Sequence, residues 1–222
     1  IIKIGSTEIT NIEYLHEIAK KNRPLILSTG LSSLEEVKKA FNSIKKHNKK
    51  EICVLHCTSE YPAPIDEINI KAMLTIKKEL NCSVGFSDHS IGNEASIAAI
   101  TLGADVIEKH FTIDKSLDGP DHKASMCPGE LKDFVFSIRQ TEKLLGSGIK
   151  EPTKSEIKNL PGIRRGVVAA IDIKKGTTIQ KNHLSFKRPF VGINPEESKG
   201  MVGKKIKIDL TTDQPILWKY FD

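Results

Sequence analysis

A chain of 222 residues, 38% of them hydrophobic, is long enough to bury one large core or two smaller ones without covalent staples. Its four cysteines, Cys53, Cys57, Cys82 and Cys127, form no CxxC pair and no zinc-type Cys/His spacing, which points to reduced thiols, a cytoplasmic setting and no structural zinc. The net charge of +6 is spread as lysines over nearly every segment, no run approaches the roughly 20 apolar residues of a membrane span, and the N-terminus lacks a signal pattern, so neither nucleic acid nor a membrane is an expected partner.

The first element is the apolar run Ile1 to Ile4; because Ile1 is not a methionine and already lies within that run, residues are expected ahead of it. Four further β-branched runs follow, Leu25 to Leu27, Ile52 to Leu55, Val84 to Phe86 and Val106 to Ile107. A helix-length amphipathic stretch follows each run, which is the βα pattern of a parallel sheet. Ser33 and Glu36 make a capping box, Asn69 is expected to open a helix ending near Leu80, residues 93–102 are small and apolar, and a last helix is predicted from Pro128 to Leu145. Five such units build either a doubly wound open sheet or the last five of the eight units of a closed barrel; the GxGxxG turn of a dinucleotide fold is absent. The stretch GSGIKEPTKSEIKNLPG then reads as an exposed linker. The expected division is a βα domain over 1–147, a linker over 148–162 and a small, mainly β domain over 163–222 with turns at KKG, VGINP and MVGKK.

Each apolar run ends in polar, reactive residues: KIGSTE, LSTG, LHCTSEYP, FSDHS and IEKHF. In a parallel barrel the C-terminal strand ends ring one mouth, so these residues are expected to converge there. A lone strand-end histidine such as His56 or His110 is readily a hydrogen-bonded core residue, but His89 and His110 end neighbouring strands and so face one point at metal-ligand distance. Asp88 or Glu108 is available to orient them. Two imidazoles completed by substrate and water oxygens suit Mn²⁺, with Mg²⁺ or Co²⁺ as alternatives. Lys3, Ser6, Ser28 and Ser87 offer an ammonium and three hydroxyls for a phosphate, although serines after strands are also ordinary helix caps. Asp121, in the GPDH loop, is placed to accept from sugar hydroxyls or simply to make a turn.

In order and approximate spacing, KIGS, LSTG, LHCTSEYP, GFSDHS, VIEKHF and GPDHKAS resemble the sialic acid synthase family, and the resemblance covers essentially the whole chain. Beyond the linker, RRGVVAAIDIKKGTTI and FKRP are similar to that family's C-terminal antifreeze-like (SAF) domain. The resemblance implies the α/β class: a partial (β/α)₈ TIM barrel contributing strands four to eight, with about three units before it, followed by a small SAF lid. It also implies a transferase that adds C3 of phosphoenolpyruvate to the aldehyde of open-chain N-acetylmannosamine, with water attacking C2 and phosphate leaving.

By the same resemblance His89 and His110 are the metal ligands, and Lys3, Ser6, Ser28 and Ser87 contact the phosphate and carboxylate of phosphoenolpyruvate. Tyr61 falls at an active-site tyrosine, while Ser59 stands where many members have Asn at a phosphate contact. Glu8 matches a carboxylate that handles protons or water, and Asp121 a ligand of sugar hydroxyls. Arg188 matches an arginine that reaches a partner's barrel mouth at the sugar's N-acyl group, which implies a domain-swapped homodimer. Three other readings stay open. The sugar is a 2,4-diacetamido-2,4,6-trideoxyhexose, giving legionaminic or pseudaminic acid; the chain is an inactive fragment; or the last domain binds ice, which its charged turns oppose.

Overall fold

The five apolar runs are strands: β1 Ile2–Ile4, β2 Leu25–Ser28, β3 Ile52–Cys57, β4 Ser83–Asp88 and β5 Val106–Lys109. They pair in sequence order as one parallel sheet, with α1 Ile12–Ala19, α2 Leu34–His47, α3 Ala72–Leu80 and α4 Glu94–Thr101 connecting them and α5 Pro128–Leu145 following β5. This computed structural model describes residues 1–221. The sheet and its helices form one compact unit, residues 1–148, and residues 149–222 form a second. Lys3 on β1 pairs with Glu108 on β5 at 3.2 Å, so the sheet curls until its first and last strands meet across the concave side. That is half of a parallel barrel, and it removes the open doubly wound alternative.

Successive side chains on a strand face opposite ways, and register partners in a parallel pair face the same way. The register Lys3↔Ile26, Ser28↔Leu55, Cys57↔Ser87 and Ser87↔Glu108 therefore gathers Lys3, Ser28, Cys57, Ser87 and Glu108 on the concave face. The other face carries Ile4, Leu25, Leu27, Ile52, Val54, Val84 and Phe86, which with Leu15, Ala19, Val37, Ile44, Met73 and Ala99 of the helices make the main core. One face of the sheet thus supplies stability and the other is left for chemistry. Gly85 lets the strands close up, because a Cβ there would meet the Val106 carbonyl oxygen and sit 2.6 Å from Leu55 Cδ2.

The helices begin where capping chemistry dictates, with two local differences. Ser33 and Glu36 form the expected reciprocal cap of α2. Asn69, however, lies in the left-handed region at φ 45°, and α3 starts only at Ala72, whose N–H the Asn69 carbonyl receives. Within the stretch read as a linker, Lys154–Ile163 is a helix, α6. Thr153 and Glu156 cap it reciprocally, and this local signal outweighs the Pro and Gly content that suggested open chain.

The second unit pairs β6 Gly166–Ala169 antiparallel to β7 Leu184–Lys187, and isolated bridges such as Ile173↔Leu210 and Thr178↔Lys205 extend the pairing. Its own core includes Val167, Ile179, Ile193, Met201, Ile206 and Ile216. Among the described residues no helix is long and apolar enough to cross a membrane.

Candidate active site

The site is built at the C-terminal edge of the curled sheet. Ser87 Oγ donates to Glu108 Oε1 at 2.7 Å, and the other carboxylate oxygen of Glu108 holds Lys3 Nζ. Ser6, in the turn after β1, lies with its Oγ 3.4 Å from that of Ser59, in the loop after β3. Gly30 leaves room for Ser59, since a Cβ at position 30 would collide with the Ser59 hydroxyl. Ser28 is 3% exposed, and its hydroxyl is the one buried side-chain polar atom among the described residues with no hydrogen-bond partner. None of these serines caps an α-helix; the N-cap positions are Asn11, Ser33, Lys71, Asn93, Cys127 and Thr153. Their hydroxyls face the concave side instead, and a buried hydroxyl without a partner is costly unless something arrives to meet it.

Beside this cradle the two histidines come together. The rings of His89 and His110 stand edge to face with centroids 5.2 Å apart, and Tyr61 lies 4.0 Å from the first and 4.8 Å from the second. His89 Nδ1 lies 2.7 Å from the Thr58 carbonyl, which only accepts, so Nδ1 carries the proton and Nε2 presents a lone pair. Burial lowers the pKa of His89 and so favours the neutral ring. The Cys57 thiol packs 3.7 Å from that ring, and its own pKa is raised, chiefly by burial. A neutral imidazole whose other nitrogen is fixed by a carbonyl is the form that ligates a metal, and the facing ring of His110 gives a second donor. Among the described residues no cluster of three or more Cys, His, Asp or Glu is gathered for a metal, and two imidazoles alone would need further ligands from outside the protein to hold one.

Several assignments change. Asp88 does not orient His89: alternation turns it to the helix-facing side, where its carboxylate accepts from Ser90 N, Ser90 Oγ and Ser96 Oγ and pairs with Lys109. The orienting group is the Thr58 carbonyl, which no side-chain motif announces. Glu108 is engaged by Lys3 and Ser87 instead, and the carboxylate beside His110 is that of Asp121, whose Oδ2 lies 3.7 Å from His110 Nδ1. His56 is a core histidine: it stacks on Phe86, lies 2.7 Å from the Ile68 carbonyl and has its pKa lowered by burial. Glu8 accepts from Asn11 Nδ2 at the start of α1, at 3.1 Å. Arg188 is exposed, just after β7 in the second unit. Cys57 and the Asp88–Lys109 pair were not anticipated; strand alternation, applied residue by residue, carries the signal for both.

Comparison with known proteins bears on the family and the fold. The NeuB family profile matches residues 1–150 and the SAF domain profile residues 164–221. An N,N'-diacetyllegionaminic acid synthase of Campylobacter jejuni is 50% identical over 206 residues, 92% of this chain and 62% of that protein. A protein of the same name from Legionella pneumophila is 43% identical over all of this chain and 63% of its own length. The chain therefore spans a little over three fifths of these relatives. Among solved structures, an N-acetylneuraminic acid (sialic acid) synthetase of Leptospira borgpetersenii aligns with a TM-score of 0.65 and 38% identity over 71% of this chain and 55% of that one.

Proposed function

The chain belongs to the NeuB family, and on that premise we propose that its concave sheet face is part of a synthase site joining phosphoenolpyruvate to an open-chain N-acylated amino sugar. The observation that carries this reading is the juxtaposition of an anion cradle, with its unpartnered Ser28 hydroxyl, and two inward-facing imidazoles on adjacent strands. Lys3, Ser6, Ser28, Ser59 and Ser87 hold the phosphate and carboxylate of phosphoenolpyruvate; the arriving anion competes with Glu108 for the Lys3 ammonium. C3 of the enol attacks the sugar aldehyde, forming a C–C bond while the aldehyde oxygen takes a proton. Water adds at C2 and phosphate leaves with cleavage of its C–O bond, which yields a 2-keto acid.

Glu8 handles the water or a proton, Tyr61 packs over the imidazoles, and Asp121 accepts from sugar hydroxyls. Arg188 meets the N-acyl group, supplied from the second unit of a partner copy. His89 and His110 hold the divalent metal, Mn²⁺ by the donor set, and when bound it supplies Lewis-acid polarisation of the aldehyde.

For the sugar, the two legionaminic acid synthases favour a 2,4-diacetamido-2,4,6-trideoxyhexose. The Leptospira sialic acid synthetase supports N-acetylmannosamine as the second reading. The test is phosphate release from phosphoenolpyruvate by the complete protein with each sugar in turn. Release dependent on the diacetamido sugar, with the higher kcat/KM, is the expected result. A reversed order moves the assignment to N-acetylneuraminate, and release that instead requires a phosphorylated pentose removes the proposal.

A further inference from the structure

One strongly interacting pair lies outside the chemistry above, directly behind it. Asp88 and Lys109 are register partners on β4 and β5, their side chains 0% and 5% exposed, with Lys109 Nζ 3.0 Å from Asp88 Oδ2. The residue after each is one of the two site histidines. Lys109 Nζ also donates to the Ser90 carbonyl at 2.7 Å and lies over the Phe134 ring of α5 at 5.8 Å. It is thus tied to the residue on either side of His89 while its own chain runs on into His110. Asp88 in turn is fixed to α4 through Ser96 Oγ at 2.5 Å.

Two fully buried charges are an expensive way to hold strands together, since well-packed apolar residues commonly do as well or better. What an ion pair adds is direction. Each partner has only a few acceptable positions, so the two backbones beyond it are held at one separation and one rotation.

We propose that the Asp88–Lys109 pair is a positioning element that fixes the angle and distance between the His89 and His110 rings, and with them the affinity for the divalent ion. This rests on the metal reading given above. Loss of partners that orient metal ligands commonly lowers metal affinity by about 10–100-fold.

The test compares Lys109→Met with Asp88→Asn/Lys109→Met in the complete protein, reading Mn²⁺ affinity by electron paramagnetic resonance alongside thermal melting without metal. Lys109→Met leaves a buried unpaired carboxylate and loses stability. The double variant leaves no charge and recovers the melting temperature, yet its Mn²⁺ affinity stays about 10–100-fold below wild type. A purely structural role predicts that stability and affinity recover together, and that result overturns the proposal. Should the double variant not fold, Asp88→Asn alone carries the test: wild-type Mn²⁺ affinity in that near-isosteric, folded protein overturns it equally. His89→Ala and His110→Ala separate the two layers. If they keep wild-type Mn²⁺ affinity the metal reading itself is lost, whereas if they lose it and the double variant keeps it, only the positioning role is lost.

Discussion

In the first unit Lys3, Ser28, Ser87, His89 and His110 stand on or directly after strands of a five-stranded sheet whose register fixes their direction, whereas in the second the one candidate, Arg188, lies exposed after the last residue of a two-stranded sheet. Lys3, Ser28, Ser87, His89 and His110 follow from alternation along paired strands, and one contact tests another. Among the described residues no such register contact fixes Arg188, whose proposed role rests on the likeness of FKRP to the SAF domain. A parallel sheet buried on one face and open on the other separates stability from chemistry side chain by side chain. The second unit has its own core and a two-stranded antiparallel sheet, but only Arg188 there is a candidate, so no such sorting can be drawn.

The largest effect that sharpens this contrast falls on the histidines. His89→Ala and His110→Ala in the complete protein are each expected to lower kcat by about 1,000-fold or more, on the scale of losing a principal electrostatic group, with the melting temperature little changed. His56→Ala, by contrast, is expected to act mainly on stability, because His56 lies on the core side of the same sheet. If the two classes of variant exchange these phenotypes, the division between the faces is wrong.

Next comes the close strand approach at Gly85 in the first unit. Gly85→Ala drives a Cβ into the Val106 carbonyl and the Leu55 side chain, and overpacking of this kind typically costs about 1–3 kcal/mol. A fall in melting temperature of roughly 2–10 °C is expected for a chain of this size. A change of the same kind at Gly129, in the first turn of α5, where an added Cβ meets nothing within 4 Å, is the control expected to hold the melting temperature or raise it slightly.

A smaller effect is expected in the second unit. Arg188→Ala removes a permanently charged, multiply donating guanidinium, and is expected to lower kcat/KM for the sugar by about 10–30-fold, the scale of a charge-assisted hydrogen bond. The KM for phosphoenolpyruvate and the melting temperature should stay close to wild type. If Arg188 acts on a partner's site, mixing Arg188→Ala with His89→Ala chains restores activity in the mixed dimers. No recovery, once chain exchange is demonstrated, removes the action in trans.

Much of this was legible in the sequence, and the rest failed for identifiable reasons. The five strands, the capping box at Ser33 and the helix from Pro128 to Leu145 follow from periodicity and capping chemistry alone. The convergence of the strand ends follows from a parallel sheet. Helix α6 was hidden because Pro161 and Gly162 suggested a break while the Thr153 and Glu156 cap nucleated a helix ahead of them. The orienting partner of His89 was hidden for a different reason: it is a main-chain carbonyl, Thr58, and a sequence carries no mark of which carbonyl will face a ring. Asp88 looked like that partner because it is adjacent in sequence, yet adjacency on a strand places it on the opposite face.

The finest distinction between a group kept for a ligand and a group kept for the fold is drawn at Ser28. Its hydroxyl is buried without a partner among the described residues, so in the free protein it bears a desolvation cost and returns nothing. Ser28→Ala removes that cost and leaves only a small void, and the melting temperature without ligand is therefore expected to hold or rise slightly. Phosphoenolpyruvate, however, loses a hydrogen bond to a charged group, and its KM is expected to rise about tenfold, the lower end of what such bonds contribute. The opposite pattern, a loss of stability with unchanged KM, would show that the hydroxyl already has a partner such as a bound water and is reserved for no ligand. It would also weaken the sorting of the two sheet faces on which the whole site rests, because Ser28 is the residue there with no other structural duty.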